Sequence, residues 1–449
     1  MAKRTGNVAH ILAGIETLSK GCAATSTSKI QGTVVMSLSL TDQAVFANLG
    51  WFDRLCRKFT LTFLGQLKQG DITLIEGEQR FQLGEPGSDL KVTLTVLDPG
   101  FYQKLVLAGS VGGGEAYIEG YWRCDNLTAL VRIFGRNLPL LDKMDSTWAR
   151  LSRPFLKALN WRNSNSKAQT KKNIAAHYDL GNEMYQLFLD DSMMYSSAVF
   201  PTETADLAAA QQHKLKQICD KLQLKPGDHL IEIGTGWGGM AIYAAQNYGC
   251  KVTTTTISAE QLAYAKAKVE ALGLQDQITL LFEDYRDLTG QYDKLVSIEM
   301  IEAVGDNYLD EYFQKCAGLL KPDGLMVLQA ITIVDQRYQQ YVREVDFIKR
   351  YVFPGGCLPS ISRMATAVSR KTDLVIRQVQ DIGFDYAKTL KLWCDNFMHQ
   401  RDAVHQLGYD DNFIRLWHFY LCYCEGGFME RATSAVHMVL SKPDNRNVY

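Results

Sequence analysis

The chain has 449 residues, 46% of them apolar and 22% charged, and a formal net charge of -1. That length exceeds one ordinary core and predicts two domains, and the near-neutral balance excludes a protein drawn as a whole to nucleic acid. Ten cysteines, scattered without the paired spacings of a metal site or a disulfide framework, suit a reducing cytoplasm.

Residues 1–40 are rich in Gly, Ser, Thr and Ala and read as a loosely ordered N-terminal segment, with neither a secretory core nor a run long enough to span a bilayer. Residues 41–147 change character. Stretches 72–76, 80–83 and 90–96 alternate as half-buried strands and 127–141 repeats apolar residues at helical spacing, which predicts a small α+β domain. Residues 148–172 form a basic aromatic linker. Arg150, Arg153, Lys157, Arg162, Lys167, Lys171 and Lys172 occur there without an acidic residue, interleaved with Trp148, Phe155, Leu156, Leu159 and Trp161. The composition suits an anionic membrane surface, and equally a linker whose rings dock on the second domain.

From 173 to 449 strand and helix alternate. Apolar runs at 229–233, 251–256, 278–282, 294–298 and 325–333 predict strands, and 207–222, 239–248, 260–272 and 308–320 predict helices. The expectation is an α/β domain whose parallel sheet is covered on both faces, with its ligand at the carboxyl ends of the strands. The first of these strands runs into Gly234-Thr-Gly-Trp-Gly-Gly239, where Gly234 and Gly236 permit a tight turn and close approach of a ligand. Alone, that turn serves a dinucleotide, a nucleoside or packing. A dinucleotide site places an acidic residue at the end of the second strand, whereas here threonine hydroxyls and then Gln261 follow. After the third strand, Phe282-Glu-Asp-Tyr-Arg-Asp287 offers a carboxylate able to accept from an adenine amino group and a ring able to lie against the base. The three loops point to an adenosyl ligand without a pyrophosphate, a description that S-adenosylmethionine fits.

Five signatures stand in order: Ala176-His-Tyr-Asp-Leu-Gly-Asn182 with Met194-Tyr-Ser-Ser-Ala-Val-Phe200; Ile233-Gly-Thr-Gly-Trp-Gly-Gly239; Thr256-Ile-Ser-Ala-Glu-Gln261; Ser297-Ile-Glu-Met-Ile-Glu-Ala-Val-Gly305; and Phe347-Ile-Lys-Arg-Tyr-Val-Phe-Pro-Gly-Gly-Cys-Leu-Pro-Ser360. With them, residues 172–428 resemble the cyclopropane fatty acid synthases, S-adenosylmethionine-dependent enzymes that methylenate double bonds in phospholipid acyl chains. The resemblance implies a Rossmann-like class I methyltransferase domain. It also implies that the smaller N-terminal α+β domain is the extra lipid-handling domain of the bacterial phospholipid enzymes.

By that resemblance Tyr195, Ser196, Gly234, Gly236, Thr256, Gln261, Asp284, Tyr285 and Arg286 hold the cofactor, and Glu232 steadies its methionine part. A bicarbonate ion is implied beside the reacting methyl, held by Ser197, Glu302, Gln329, the backbone of Ile331, and Tyr386. Ser197 and Gln329 stand where cysteine and histidine are usual, and Gln329 with residues 298–305 is more similar to the plant-type members. The chemistry explains the set. An isolated alkene is a poor nucleophile, so the sulfonium must be aligned with it in a dry pocket, and a base must then take a proton from the new methyl so that the ring closes. Glu302 orients the ion, Tyr386 and Ser197 donate to its oxygens, and Gln329 donates through its amide.

Other readings stay open at single residues. Glu302 also suits a helix cap, Tyr386 a buried core tyrosine, and Cys424, a candidate active-site group in the family, a small apolar lining of the acyl path. Phe347, Tyr351, Phe353, Leu358, Trp393 and Phe397 are acyl-chain walls or ordinary core. The leading function is methylenation of unsaturated acyl chains in membrane phospholipids by a cytoplasmic enzyme held peripherally at the inner face of the membrane, with homodimers implied by the family. The alternatives are acyl methylation without ring closure, N-methylation of a small amine, and a lipid-binding protein that keeps a cofactor site without turnover.

Overall fold

The structure, a computed structural model, describes residues 49–141 and 181–446. The expectations for residues 1–40, for the linker at 148–172 and for the signature around His177 lie outside them.

The described chain divides into two units, one of residues up to 116 together with 120–126, the other of residues 117–119 and those from 127 onward. In the first unit, helix α1 (Trp51–Leu64) precedes strands β1 (Asp71–Glu76), β2 (Gln79–Gly84) and β3 (Lys91–Val96). Helix α2 (Gly100–Ile118) and strand β4 (Trp122–Cys124) follow. The strand order is β2-β1-β3-β4, with β1 and β3 parallel and the outer pairings antiparallel. Every second residue of β1 and β3 is buried, as the alternation predicted, and Ile72, Leu74, Val92 and Leu94 form one apolar face. Glu76 is buried there without being orphaned, because Arg57 pairs with it at 2.6 Å and the Tyr102 hydroxyl donates to it. Helix α3 (Leu127–Arg136), expected in the small domain, falls in the second unit. Its Arg132 and Arg136 clamp Glu430, and its Thr128 donates to Glu425.

The second unit continues with α4 (Asn182–Gln186), α5 (Leu207–Leu222), β5 (His229–Ile233), α6 (Gly239–Tyr248), β6 (Lys251–Thr255), α7 (Ala259–Ala271), β7 (Ile278–Leu281) and β8 (Tyr292–Ile298). Then come α8 (Leu309–Leu319), β9 (Leu320–Ile333), α9 (Asp335–Tyr341), α10 (Phe347–Tyr351), α11 (Ile361–Lys371), β10 (Val375–Asp381), α12 (Gly383–His399), α13 (Arg401–Gln406), α14 (Asp411–Met429) and β11 (Thr433–Ser441). Asp206 and Ser258 accept from Ala209 N and Gln261 N, capping α5 and α7 at their starts.

The strands lie in the order β10-β11-β9-β8-β5-β6-β7. The five strands read from the sequence are mutually parallel, as expected. The sheet is nevertheless mixed, because β11 runs antiparallel to β9 and β10 antiparallel to β11. Strand β10 escaped the sequence reading because it is an edge strand with a largely exposed, polar surface. Apolar side chains fill both faces. Leu230, Val252 and Val327 meet α5 and α6 on one side, while Ile231, Leu295 and Leu328 meet Tyr312, Phe313 and Met364 on the other. The order of connection reverses between β5 and β8, so a crevice opens at their carboxyl ends.

Candidate active site

The glycine turn lies at that reversal. Gly234, Gly236 and Gly238 take φ values of +101°, +52° and +88°, which L side chains seldom adopt. Gly234 N and Thr235 N donate to Thr255 O, tying the turn to the end of β6. A Cβ on Gly236 would meet nothing within 4 Å, so the turn faces room for a ligand. On the other flank, a Cβ on Gly239 would stand 2.7 Å from Met194 Sδ and 2.8 Å from Ser192 O, so the segment after α4 is seated directly on the start of α6. Trp237 anchors α4 itself by donating to Asn182 Oδ1, at its first residue, at 2.6 Å.

Around the turn stand the residues expected to hold the cofactor. Glu232 is buried and accepts from Thr254 Oγ1 at 2.7 Å, and burial pushes its carboxyl up to about 8. Thr256 Oγ1 donates to Gln261 Oε1 at 3.0 Å, so these two share one position at the end of β6. In the third loop the side chains bond one another. Asp284 is engaged by Arg286 through its backbone and guanidinium, with an ion pair of 2.7 Å, and the Tyr285 ring packs against Tyr312 in the core. The aromatic side chain left open at this rim is Phe282, 52% exposed. Tyr195 and Ser196 lie across the turn. The Tyr195 hydroxyl bonds that of Tyr420 at 2.9 Å, and Ser196 Oγ accepts from Lys214 Nζ at 2.8 Å.

The acid-base groups converge on a residue the sequence reading passed over. Glu299 Oε1 accepts from Ser197 N at 2.9 Å and from Gln329 Nε2 at 2.7 Å, while Glu299 Oε2 accepts from the Tyr386 hydroxyl at 2.8 Å. Glu302 was expected to meet Tyr386 across a bound ion. Instead its Oε1 accepts from Ile331 N at 2.5 Å, and its buried Oε2 has no partner. Ser197 enters through its amide, since its hydroxyl donates to Ala198 O. Burial pushes the Glu302 carboxyl up to about 8, with the charge of Glu299 adding to it. Burial also raises Glu299, but the donors Gln329, Ser197 and Tyr386 and the nearby Lys214 oppose the rise. Burial and the charge of Glu299 thus push Glu302 toward its neutral form, while on Glu299 the three donors and Lys214 work against the same push.

Two basic groups complete the electrostatics. Lys214, buried on α5, is pushed down to about 8 by burial, while Glu299 and Asp190 hold it up. Lys221 Nζ lies 2.6 Å from His437 Nδ1, and His437 Nε2 lies 2.9 Å from Gln329 Oε1. The Lys221 ammonium only donates, so His437 accepts at Nδ1 and carries its proton on Nε2. Gln329 must then accept through its oxygen and turn its amide group toward Glu299. The pairing of β9 with β11 places Gln329 opposite His437.

Aromatic side chains border this cluster. The Tyr386 ring lies 4.5 Å from Phe428 and 6.1 Å from Trp393, which lies 5.3 Å from Tyr195. Trp393, Phe397 and Phe347 are fully buried core residues, while Tyr351 is 36% exposed. Burial raises the Cys424 thiol well above its usual range, leaving it no thiolate character. The single spacing of the cysteines hid one cluster. Among the described residues, Cys394, His418 and Cys422 bring ligand-type atoms within 4.8 Å of one another.

The family model described as mycolic acid cyclopropane synthetase matches residues 165–438. The tuberculostearic acid methyltransferase of Mycobacterium tuberculosis is 38% identical over 327 residues, covering 71% of this chain and 76% of its own. The cyclopropane-fatty-acyl-phospholipid synthase of Escherichia coli is 35% identical over 351 residues, 78% of this chain and 87% of its own. Among solved structures, a mycolic acid cyclopropane synthase complexed with SAH and CTAB superposes with a TM-score of 0.58 at 28% identity, covering 61% of this chain and 98% of that one.

Proposed function

Because the chain belongs to the mycolic acid cyclopropane synthetase family, and is thereby an S-adenosylmethionine-dependent methyltransferase, we propose that it methylenates cis double bonds in the acyl chains of membrane phospholipids. The observation that carries the proposal is the packing of the glycine turn against the segment that bears the acidic pair. A Cβ on Gly234 would lie 3.3 Å from the side chain of Met300, which stands between Glu299 and Glu302 in the chain, so the turn packs against the segment that carries the acid-base cluster. When bound, S-adenosylmethionine supplies an electrophilic methyl group. The chain's own part is to orient it, to keep water out with Tyr195, Trp393, Tyr386 and Phe428, and to take up the proton that must leave once the alkene has gained the methyl.

The relatives' names support a lipid acceptor, one a fatty-acyl-phospholipid synthase and another a tuberculostearic acid methyltransferase. The second name also supports another reading, in which the acyl chain is methylated without closing a ring. In our reading the basic aromatic segment at 148–172 meets anionic lipid at the inner face of the membrane, residues 41–147 help to handle the lipid, and the enzyme works as a homodimer. Among the described residues no helix is long and apolar enough to cross a membrane. Incubating the purified chain with unsaturated phospholipid vesicles and methyl-labelled cofactor tests the proposal. Label in the fatty acid supports it, and label confined to an amine or to no lipid product refutes it.

A further inference from the structure

The resemblance to the cyclopropane synthases brings with it a bicarbonate ion, and the ion's five expected ligands can be checked against the geometry. Three of them, Ser197 N, Gln329 Nε2 and the Tyr386 hydroxyl, are spent on the Glu299 carboxylate. The remaining two, Ile331 N and Glu302, are bonded to each other. A carboxylate presents the same planar O–C–O edge as bicarbonate, so the donors that would recognise the ion already recognise a side chain. For a free ion to enter, the Glu299 carboxylate would have to leave its three donors, and two anions would then share one enclosed site beside Glu302. The residues present do not fit bicarbonate.

We propose that Glu299 is the built-in base of this enzyme and takes the place of a bound anion. The proposal rests on the methyl-transfer reading above and deepens it.

The backbone supports the assignment. Glu299 has φ +48°, a left-handed conformation uncommon for a residue other than glycine, at the point where β8 leaves the sheet. The strained conformation is held by the bond from Glu299 N to Gln329 O, 2.8 Å long. A carboxylate has about four lone-pair sites. The three bonds named here leave one on Oε2, beside the Tyr386 hydroxyl and the aromatic wall. The charges agree as well. Lys214 and the three donors oppose the rise that burial imposes on Glu299, while Glu302 has no such set and is pushed toward its neutral form.

The step balances without another reagent. The alkene π electrons form a bond to the methyl carbon as its bond to sulfur breaks, which leaves a thioether and a carbocation on the chain. Glu299 then takes a proton from the new methyl. The electrons of that C–H bond form the second C–C bond, and Glu299 becomes a neutral acid that returns its proton to water after the product leaves.

The test uses the full chain, with carbon-13 bicarbonate as the probe, in buffers stripped of carbon dioxide and in buffers resupplied with it. The wild type should turn over at the same rate in both, within about twofold, and give no saturable bicarbonate binding by NMR. Glu299→Gly suits the left-handed backbone and opens the site. It should lose roughly 100-fold or more in turnover, bind the labelled ion, and regain part of its rate when bicarbonate is added. Glu299→Gln keeps the shape but not the base, and should be as slow as the glycine variant without responding to the ion. Bicarbonate binding by the wild type, a wild-type rate that rises with the ion, or an active glutamine variant would overturn the proposal. The binding arm needs no lipid, so it distinguishes failure of this assignment from failure of the methyl-transfer reading, which appears as absence of labelled lipid in every buffer.

Discussion

Replacing Glu302 by glutamine asks whether the inner carboxyl is protonated in the folded protein. Its Oε1 accepts from Ile331 N and its Oε2 is buried without a partner, a geometry that suits a neutral acid and that an amide reproduces closely. The folded carboxyl is pushed up to about 8, against an ordinary 4.5, by burial first and by Glu299 second. A raised value means that the folded state holds a proton the unfolded chain releases. The group's contribution to stability is therefore full below about 4.5 and is lost as pH climbs through about 8. Each tenfold in proton affinity is about 1.4 kcal/mol, which sets a ceiling of roughly 5 kcal/mol across that window. The side chain keeps some accessible surface, and screening there lowers the expectation to roughly 2–3 kcal/mol. Urea unfolding of both proteins at about pH 5 and about pH 9 reads the difference, because titrating groups that do not interact with Glu302 cancel in the comparison. Glu302→Gln should match the wild type within about 1 kcal/mol at the lower pH and exceed it at the higher. A variant that loses roughly 3 kcal/mol at the lower pH, or one that gains nothing at the higher, refutes the reasoning.

Three further outcomes follow from the same geometry. His437→Leu removes the donor that turns the Gln329 amide toward Glu299, so turnover should fall roughly 10- to 100-fold while cofactor affinity measured by calorimetry stays unchanged. Gly239→Ala puts a Cβ against Met194 Sδ and the Ser192 carbonyl, and should cost about 1–3 kcal/mol of stability, read by thermal unfolding. Lys214→Met leaves Ser196 without its donor and Glu299 without its nearest positive charge, so the acidic limb of the pH–rate profile should move to higher pH.

The parallel core of the second unit was legible because its strands are continuous apolar runs and its helices fill the gaps between them. The edge strand β10 was not, since it has little buried surface to mark it. The glycine turn, the Thr256 hydroxyl and the Gln261 amide could be read from spacing, whereas the capture of Asp284 by Arg286 depends on a side-chain choice that spacing leaves free. Glu299 lay inside a quoted signature, yet nothing in the letters marks a left-handed glutamate. Lys214 and His437 did carry a signal. Lys214 and Gln211 occupy positions on the buried stripe of α5, with Leu207, Leu215, Ile218 and Leu222, where polar residues need a partner. His437 interrupts the apolar run of β11 in the same way.

Product identification tests the central claim most directly. The chain, expressed in a host without a ring-forming enzyme of its own, is supplied with unsaturated phospholipid, and the fatty acids are analysed by mass before and after catalytic hydrogenation. A cyclopropane product is one methylene heavier than its precursor and has no carbon–carbon double bond left to reduce under mild conditions. A product that still takes up hydrogen is a methylated olefin, and an unchanged fatty acid pool contradicts methyl transfer to lipid altogether.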